Sequence, residues 1–207
     1  MLDLLNSGGS FMYVILLTSI GALALFCERA FFLYGQLRLN MDNAFDKISA
    51  LLGKSNYRAA LEEVNRIQNH PLGRTLKSGL LKAGKRDKDI EQALQESILR
   101  EMPLLKKRIN YLSMFANVAT LLGLLGTIIG LIAAFAGVAG ASAAEKQQVL
   151  AAGISVAMFT TAFGLIVSIP SLVGFYLLNN RGDHIIEKMD EKSLALFNIL
   201  SGLKREG

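Results

Sequence analysis

Three long apolar blocks, set apart by charged sequence, limit what this chain can fold into. Residues 115–140 and 153–178 contain no charged side chain, and a block at about 11–34 has none from Phe11 to Cys27 before it meets Glu28 and Arg29. A hydrocarbon core about 30 Å thick needs roughly 20 helical residues, because only a helix satisfies its own backbone polar groups in lipid. Each block is therefore predicted to be a transmembrane helix. With 52% hydrophobic residues in 207, the chain is also too apolar for an ordinary soluble domain.

The basic residues set the predicted orientation. Residues 1–10 carry no Lys or Arg, 35–112 carry 15, 141–152 carry only Lys146, and 179–207 carry 5. Basic segments flanking spans stay on the cytoplasmic side. This predicts a multi-pass membrane protein with its N-terminus outside, residues 35–112 and the C-terminus on the cytoplasmic side, and 141–152 outside; the family resemblance given below implies that the membrane is the bacterial inner (cytoplasmic) one and the outer side the periplasm. The residues ahead of the first apolar run lack a basic n-region, so that span is expected to be retained rather than cleaved.

Topology accounts for the net charge of +5, and no aromatic-basic interleaving points to nucleic acid. Cys27 stands alone, and His70 and His184 lie far apart, so no disulfide or metal site is expected. Nor is there a nucleophile-base set or a phosphate loop, which argues against an enzyme and against a cofactor.

Six segments follow: 1–34, an N-terminal stretch and the first span; 35–112, a cytoplasmic helical loop; 113–140, the second span; 141–152, a periplasmic loop; 153–178, the third span; and 179–207, a cytoplasmic C-terminal helix. Within the loop, helices are predicted at 42–53, from a Ser55 cap to about Gln68, and from Pro71 to about Ala83, ended by Gly84. From an N-cap at Asp87 one helix is expected to run into the second span, with Pro103 a possible kink. The third span continues past Asn179, where Ile185, Ile186, Met189, Leu196 and Leu200 recur at helical spacing. The fold class is thus all-α: an integral membrane protein with three transmembrane helices, two extended into the cytoplasm, in an oligomeric helical bundle.

Both uncharged spans carry a face of small residues. At 100° per residue, Thr120, Gly123, Gly130, Ala134 and Gly137 fall within a ~100° arc that includes Thr127. In the third span Ala157, Gly164, Ser168 and Ser171 fall within a ~80° arc that includes Thr161, with Thr160 beside it. Small faces let helices approach closely, and hydroxyls bond carbonyls or water. Periodicity alone leaves two readings open, packing between spans and the lining of an ion path, and both require neighbouring helices. Glu28 and Arg29 diverge by 100° on a helix and suit interfacial anchoring or pairing with another helix better than a place in the ion path.

The strings "NYLSMFANVATLLGLLGTIIGLIAAF" and "AAGISVAMFTTAFGLIVSIPSLVGFYLLNNR", with "CERAFFLY" closing the first span, resemble the TolQ/ExbB branch of the TolQ/ExbB/MotA proton-channel superfamily over essentially the whole chain. The resemblance implies a homo-oligomer, a pentamer, surrounding the single-span helices of an ExbD/TolR-type partner dimer, with membrane lipid outside and proton flow driving the partner. It also implies that Thr127 and Thr161 face the pore; the small-residue faces add Thr160, Gly164 and Ser168 as candidates for the same lining, and Gly123, Gly130, Ala134, Gly137 and Ala157 as candidates for helix packing. The sequence departs from the pattern at Val156, where TolQ and ExbB usually carry glutamate, and at Thr120, where proline is common.

The second and third spans hold no Asp, Glu or His. A hydroxyl cannot relay protons by titrating near neutral pH, so a titrating group must come from elsewhere, which favours an aspartate on a partner helix. The rival expectation is a non-conducting oligomeric scaffold that uses the same small faces only to assemble.

Overall fold

The computed structural model describes residues 11–206, with side chains to residue 203; residues 1–10 of the N-terminal segment lie outside the described part. Every regular element among the described residues is helical: α1 Phe11–Ala30, continued by a π-helical stretch Phe31–Gln36, then α2 Met41–Gly53, α3 Tyr57–Arg66, α4 Pro71–Leu80, α5 Asp87–Lys106, α6 Ile109–Gly140 and α7 Lys146–Glu206. Three helices are long and apolar enough to cross a membrane. The all-α membrane fold is as the sequence implies.

The chain divides into two compact units. In the membrane unit, α1 packs with α6 and with α7 up to Leu178. Ile15, Ala119 and Val167, one from each helix, form its buried centre, with Leu122 and Phe163 packed against them. Gly21 lets α1 approach α6: a Cβ there would stand 3.2 Å from the Phe115 ring. Large apolar side chains such as Leu17, Leu121, Ile132, Met158 and Ile166 point outward, which suits a lipid surroundings and not water.

The second unit joins the π-helical stretch, α2 to α5 and α7 from Asn179 onward. Ile48, Leu52, Val64, Leu76, Ile90, Leu94, Ile185, Met189 and Leu196 fill its interior at helical spacing. Side chains cap three of its helices: Asn40 accepts from Asn43 N, Asn56 from Ala59 N, and His70 Nδ1 from Leu72 N, each at 3.1 Å. Pro71 occupies the first turn of α4, where its missing N–H costs nothing. A two-pronged ion pair binds α4 to α5, with Arg74 Nε 2.6 Å from Glu101 Oε1 and Nη2 2.5 Å from Oε2. Glu101 is only 4% exposed. Lys106 meets Asp183 at 2.6 Å and Lys192 meets Asp42 at 2.6 Å, fastening α5 and α2 to α7.

Several boundaries differ from the sequence reading. The cap of α3 is Asn56, and Ser55 before it takes a left-handed conformation (φ 56°). Asp87 is the first helical residue of α5, with Arg86 at the cap making no side-chain cap bond; Arg86 instead pairs with Asp89 at 3.0 Å. The helix does not run unbroken into the second span. Pro103 lies within α5, and the break comes at Lys107, which is extended, and Arg108, which is left-handed (φ 62°). A left-handed non-glycine residue costs about 1–2 kcal/mol. Ile109, the first residue of α6, is fully buried, and Arg108 pairs with Glu28 of α1 at 3.0 Å. Between α6 and α7 only residues 141–145 lie outside helix, since α7 begins at Lys146. Ser142 and Glu145 form the entry, Glu145 Oε2 accepting from Ser142 N at 3.2 Å and Oγ at 2.6 Å. From there α7 runs through Pro170 without interruption.

Candidate functional site

The buried face of α6 is Leu112, Ala116, Ala119, Gly123, Gly126, Gly130 and Ala134. Steps of three and four put these on one stripe. The stripe presses on α7 of the same chain. A Cβ on Gly123 would stand 3.1 Å from the Thr160 carbonyl and 3.3 Å from Gly164 Cα; one on Gly130 would stand 3.0 Å from Ala157 Cβ. From the other side, a Cβ on Gly164 would meet the Ala119 carbonyl at 2.7 Å. The seam is closed backbone to backbone, and only small residues fit it.

The polar residues sort by their place relative to that seam. Thr160 is 1% exposed and donates to the Ala157 carbonyl of its own helix at 2.8 Å. Ser168 is 4% exposed, its Oγ 2.8 Å from Thr120 Oγ1, which also lies 3.1 Å from the Ala116 carbonyl. Ser171 is buried and donates to Val167 O at 2.7 Å. Thr160, Gly164 and Ser168 therefore sit in packing within one chain, along with Gly123, Gly130, Ala134 and Ala157. Gly137 is exposed, yet a Cβ there would stand 2.7 Å from Val149 Cγ1, so it too lets α6 and α7 approach.

Thr127 and Thr161 behave differently, both being half-buried. Thr127 donates to the Leu124 carbonyl at 2.6 Å, while Thr161 reaches across the seam to the Gly123 carbonyl at 3.0 Å. At 100° per residue the centre of the buried stripe lies ~60° from Thr127 on α6, and ~60° in the same rotational sense from Thr161 on α7. The two helices run antiparallel, so equal offsets put both threonines on one border of the seam. Thr161 bonds at the level of Gly123, four residues or about 6 Å from Thr127 along the axis.

Gly126 escaped an arc drawn around Thr127, although a Cβ there would stand 2.6 Å from both Thr160 Cβ and Oγ1. The Gly123, Gly126, Gly130 spacing, taken on its own, marks the true centre of the face. Val156 is half-buried. Glu28 and Arg29 hold one another at 3.4 Å, but the closer partner of Glu28 is Arg108 at the start of α6, whose Nη1 lies 3.0 and 3.2 Å from its two oxygens. Among the described residues no cluster of His, Cys, Asp and Glu could hold a metal ion.

Residues 65–191, spanning both threonines and the whole seam, match the MotA/TolQ/ExbB proton channel family. The chain belongs to that family. An ExbB-like biopolymer transport protein of Synechocystis sp. is 31% identical over 168 residues, 81% of this chain and 79% of that relative. An ExbB homologue named for biopolymer transport in Methanothermobacter thermautotrophicus is 29% identical over 190 residues, 91% of this chain and 66% of that relative's length. Membership of the MotA/TolQ/ExbB family puts the chain among channel and transport-motor subunits, not enzymes, and makes it a membrane protein that works in a complex.

Proposed function

We propose that several copies of this chain, five on the family pattern, surround the single-span helices of an ExbD/TolR-type partner dimer and conduct protons that drive it. The observation that carries this reading is that Thr127 and Thr161 lie half-buried on one border of a close-packed seam. Two half-accessible hydroxyls there can order water or hold a carboxylate from a neighbouring helix. Neither α6 nor the membrane part of α7 contains Asp, Glu or His, so the partner supplies the titrating aspartate. A carboxylate held in that surrounding is costly to ionise, so it takes a proton from the outer side and releases it inward. One charge crossing 100 mV releases roughly 2.3 kcal/mol, enough to shift a few contacts per step.

On this reading the second unit and the end of α7 face the cytoplasm, and the turn at 141–145 faces the periplasm, following the Lys and Arg distribution. The names of the relatives support transport of a biopolymer as the work done. The burial of Thr160, Gly164 and Ser168 within one chain favours the rival to this extent: a non-conducting scaffold would need nothing more than this seam.

Cysteine labelling in membranes tests the placement. Thr127→Cys and Thr161→Cys should react with a water-soluble maleimide and be shielded from a lipid-soluble one, while Leu124→Cys and Ile128→Cys show a different pattern. Lipid-soluble labelling of both threonine positions would overturn the proposed lining.

A further inference from the structure

At the inner end of the membrane unit, α1 and α6 diverge and leave a groove of about 490 Å³. Its floor is the close approach of Gly21 to Phe115. Ala24 and Leu25 line one wall and Tyr111 and Met114 the other, so the interior is apolar. Its mouth is ionic, formed by Glu28 and Arg108. From Gly21 to Glu28 is seven residues, about 10 Å along the helix.

The mouth is unusual in two respects. Arg108 is a non-glycine residue in the left-handed region (φ 62°), and its guanidinium reaches Glu28 of α1. The guanidinium uses only Nη1 on Glu28, and its side chain is 47% exposed. An arginine has five N–H donors, so Nε and Nη2 remain for a further acceptor. The same carboxylate also receives Arg29 Nη2 at 3.4 Å, so two guanidiniums share it.

We propose that this groove is a binding site for one anionic phospholipid, its phosphate at Arg108 and the start of an acyl chain along Gly21, Ala24 and Met114. Charge decides the occupant. A second copy of this chain laid in the groove would cover the walls but bring no anion to Arg108, whereas a phosphodiester answers both the apolar floor and the free donors. Glu28 opposes the lipid because its carboxylate holds Nη1 of the same guanidinium and stands as a like charge beside the phosphate on Nε and Nη2. The site is independent of proton conduction and requires only that the chain resides in a membrane.

Native mass spectrometry of the purified, delipidated oligomer tests it, with phosphatidylglycerol and phosphatidylcholine added in turn. Wild type should hold phosphatidylglycerol about fivefold more tightly, the size of one favourable basic contact at a membrane surface. Arg108→Gln should lose that preference, and Glu28→Gln should keep or strengthen it. A purely structural ion pair would make the two variants fall together, and that result overturns the proposal. Equal binding of the two lipids by wild type, or a groove already sealed by a neighbouring copy and taking up no lipid, also overturns it. If Arg108→Gln does not fold, the Glu28→Gln result decides alone.

Discussion

The hydroxyl of Thr161 donates to the Gly123 carbonyl, 3.0 Å away on the facing helix. That carbonyl belongs to a continuous helix, so the hydroxyl is a second donor to it and not its sole support. Thr161→Val keeps the shape and removes one hydrogen bond, a stability change of about 1 kcal/mol. We predict an assembled complex without driven activity, and a milder loss for Thr161→Ser. Oligomer size by chromatography and proton-driven activity in cells separate the two effects; a fully active Thr161→Val would reduce the hydroxyl to packing.

Gly126→Ala should weaken the seam, because the added methyl would stand 2.6 Å from Thr160 Cβ and Oγ1, and Thr160 is held to Ala157. Overpacking of this kind costs about 1–3 kcal/mol. Gly140→Ala, with nothing within 4 Å, should be close to neutral. Thermal unfolding in detergent compares them, and equal midpoints would contradict a closed seam.

His70 gives the second unit a defined pH response. The imidazole is 6% exposed, and burial, aided by the Arg74 guanidinium, lowers its pKa from 6.5 to about 4. The nearby Leu37 carbonyl and Glu101 pull the other way, and Arg181 adds to the lowering. The folded value lies below the unfolded one, so the unfolded chain takes up the proton first. Stability is full above pH 6.5, falls as pH drops toward 4, and levels off below that, with a total loss of about 3 kcal/mol from this group. Protonation also ends the acceptance of the Leu72 N–H by Nδ1. His70→Asn keeps a capping oxygen and should flatten the stability profile across that window; an unchanged profile would show that His70 does not govern it.

On the orientation proposed from the Lys and Arg distribution, protease added outside spheroplasts should leave residues 40–100 intact. Cleavage there from outside would reverse the orientation.

The spans and the long run of α7 beyond Leu178 were legible because uncharged blocks and helical spacing have direct physical causes. The Lys107–Arg108 break was not, because neither residue is a glycine or proline, and no local sequence signal marks a left-handed Arg108. The early start of α7 did have a signal: Ser142 and Glu145 stand at capping-box spacing, which hydropathy passes over. In the site, periodicity showed two small faces but not whose helix each would meet. They meet one another in the same chain, which draws Thr160 and Ser168 into the seam and leaves Thr127 and Thr161 at its border.

Proton flux into liposomes holding this chain alone, compared with liposomes that also hold the single-span partner, tests the central claim most directly. The second and third spans contain no Asp, Glu or His of their own, so the chain alone should not conduct, and flux should appear with the partner and vanish when its membrane aspartate is replaced by asparagine. Flux through the chain alone at the rate of the full complex would contradict the account.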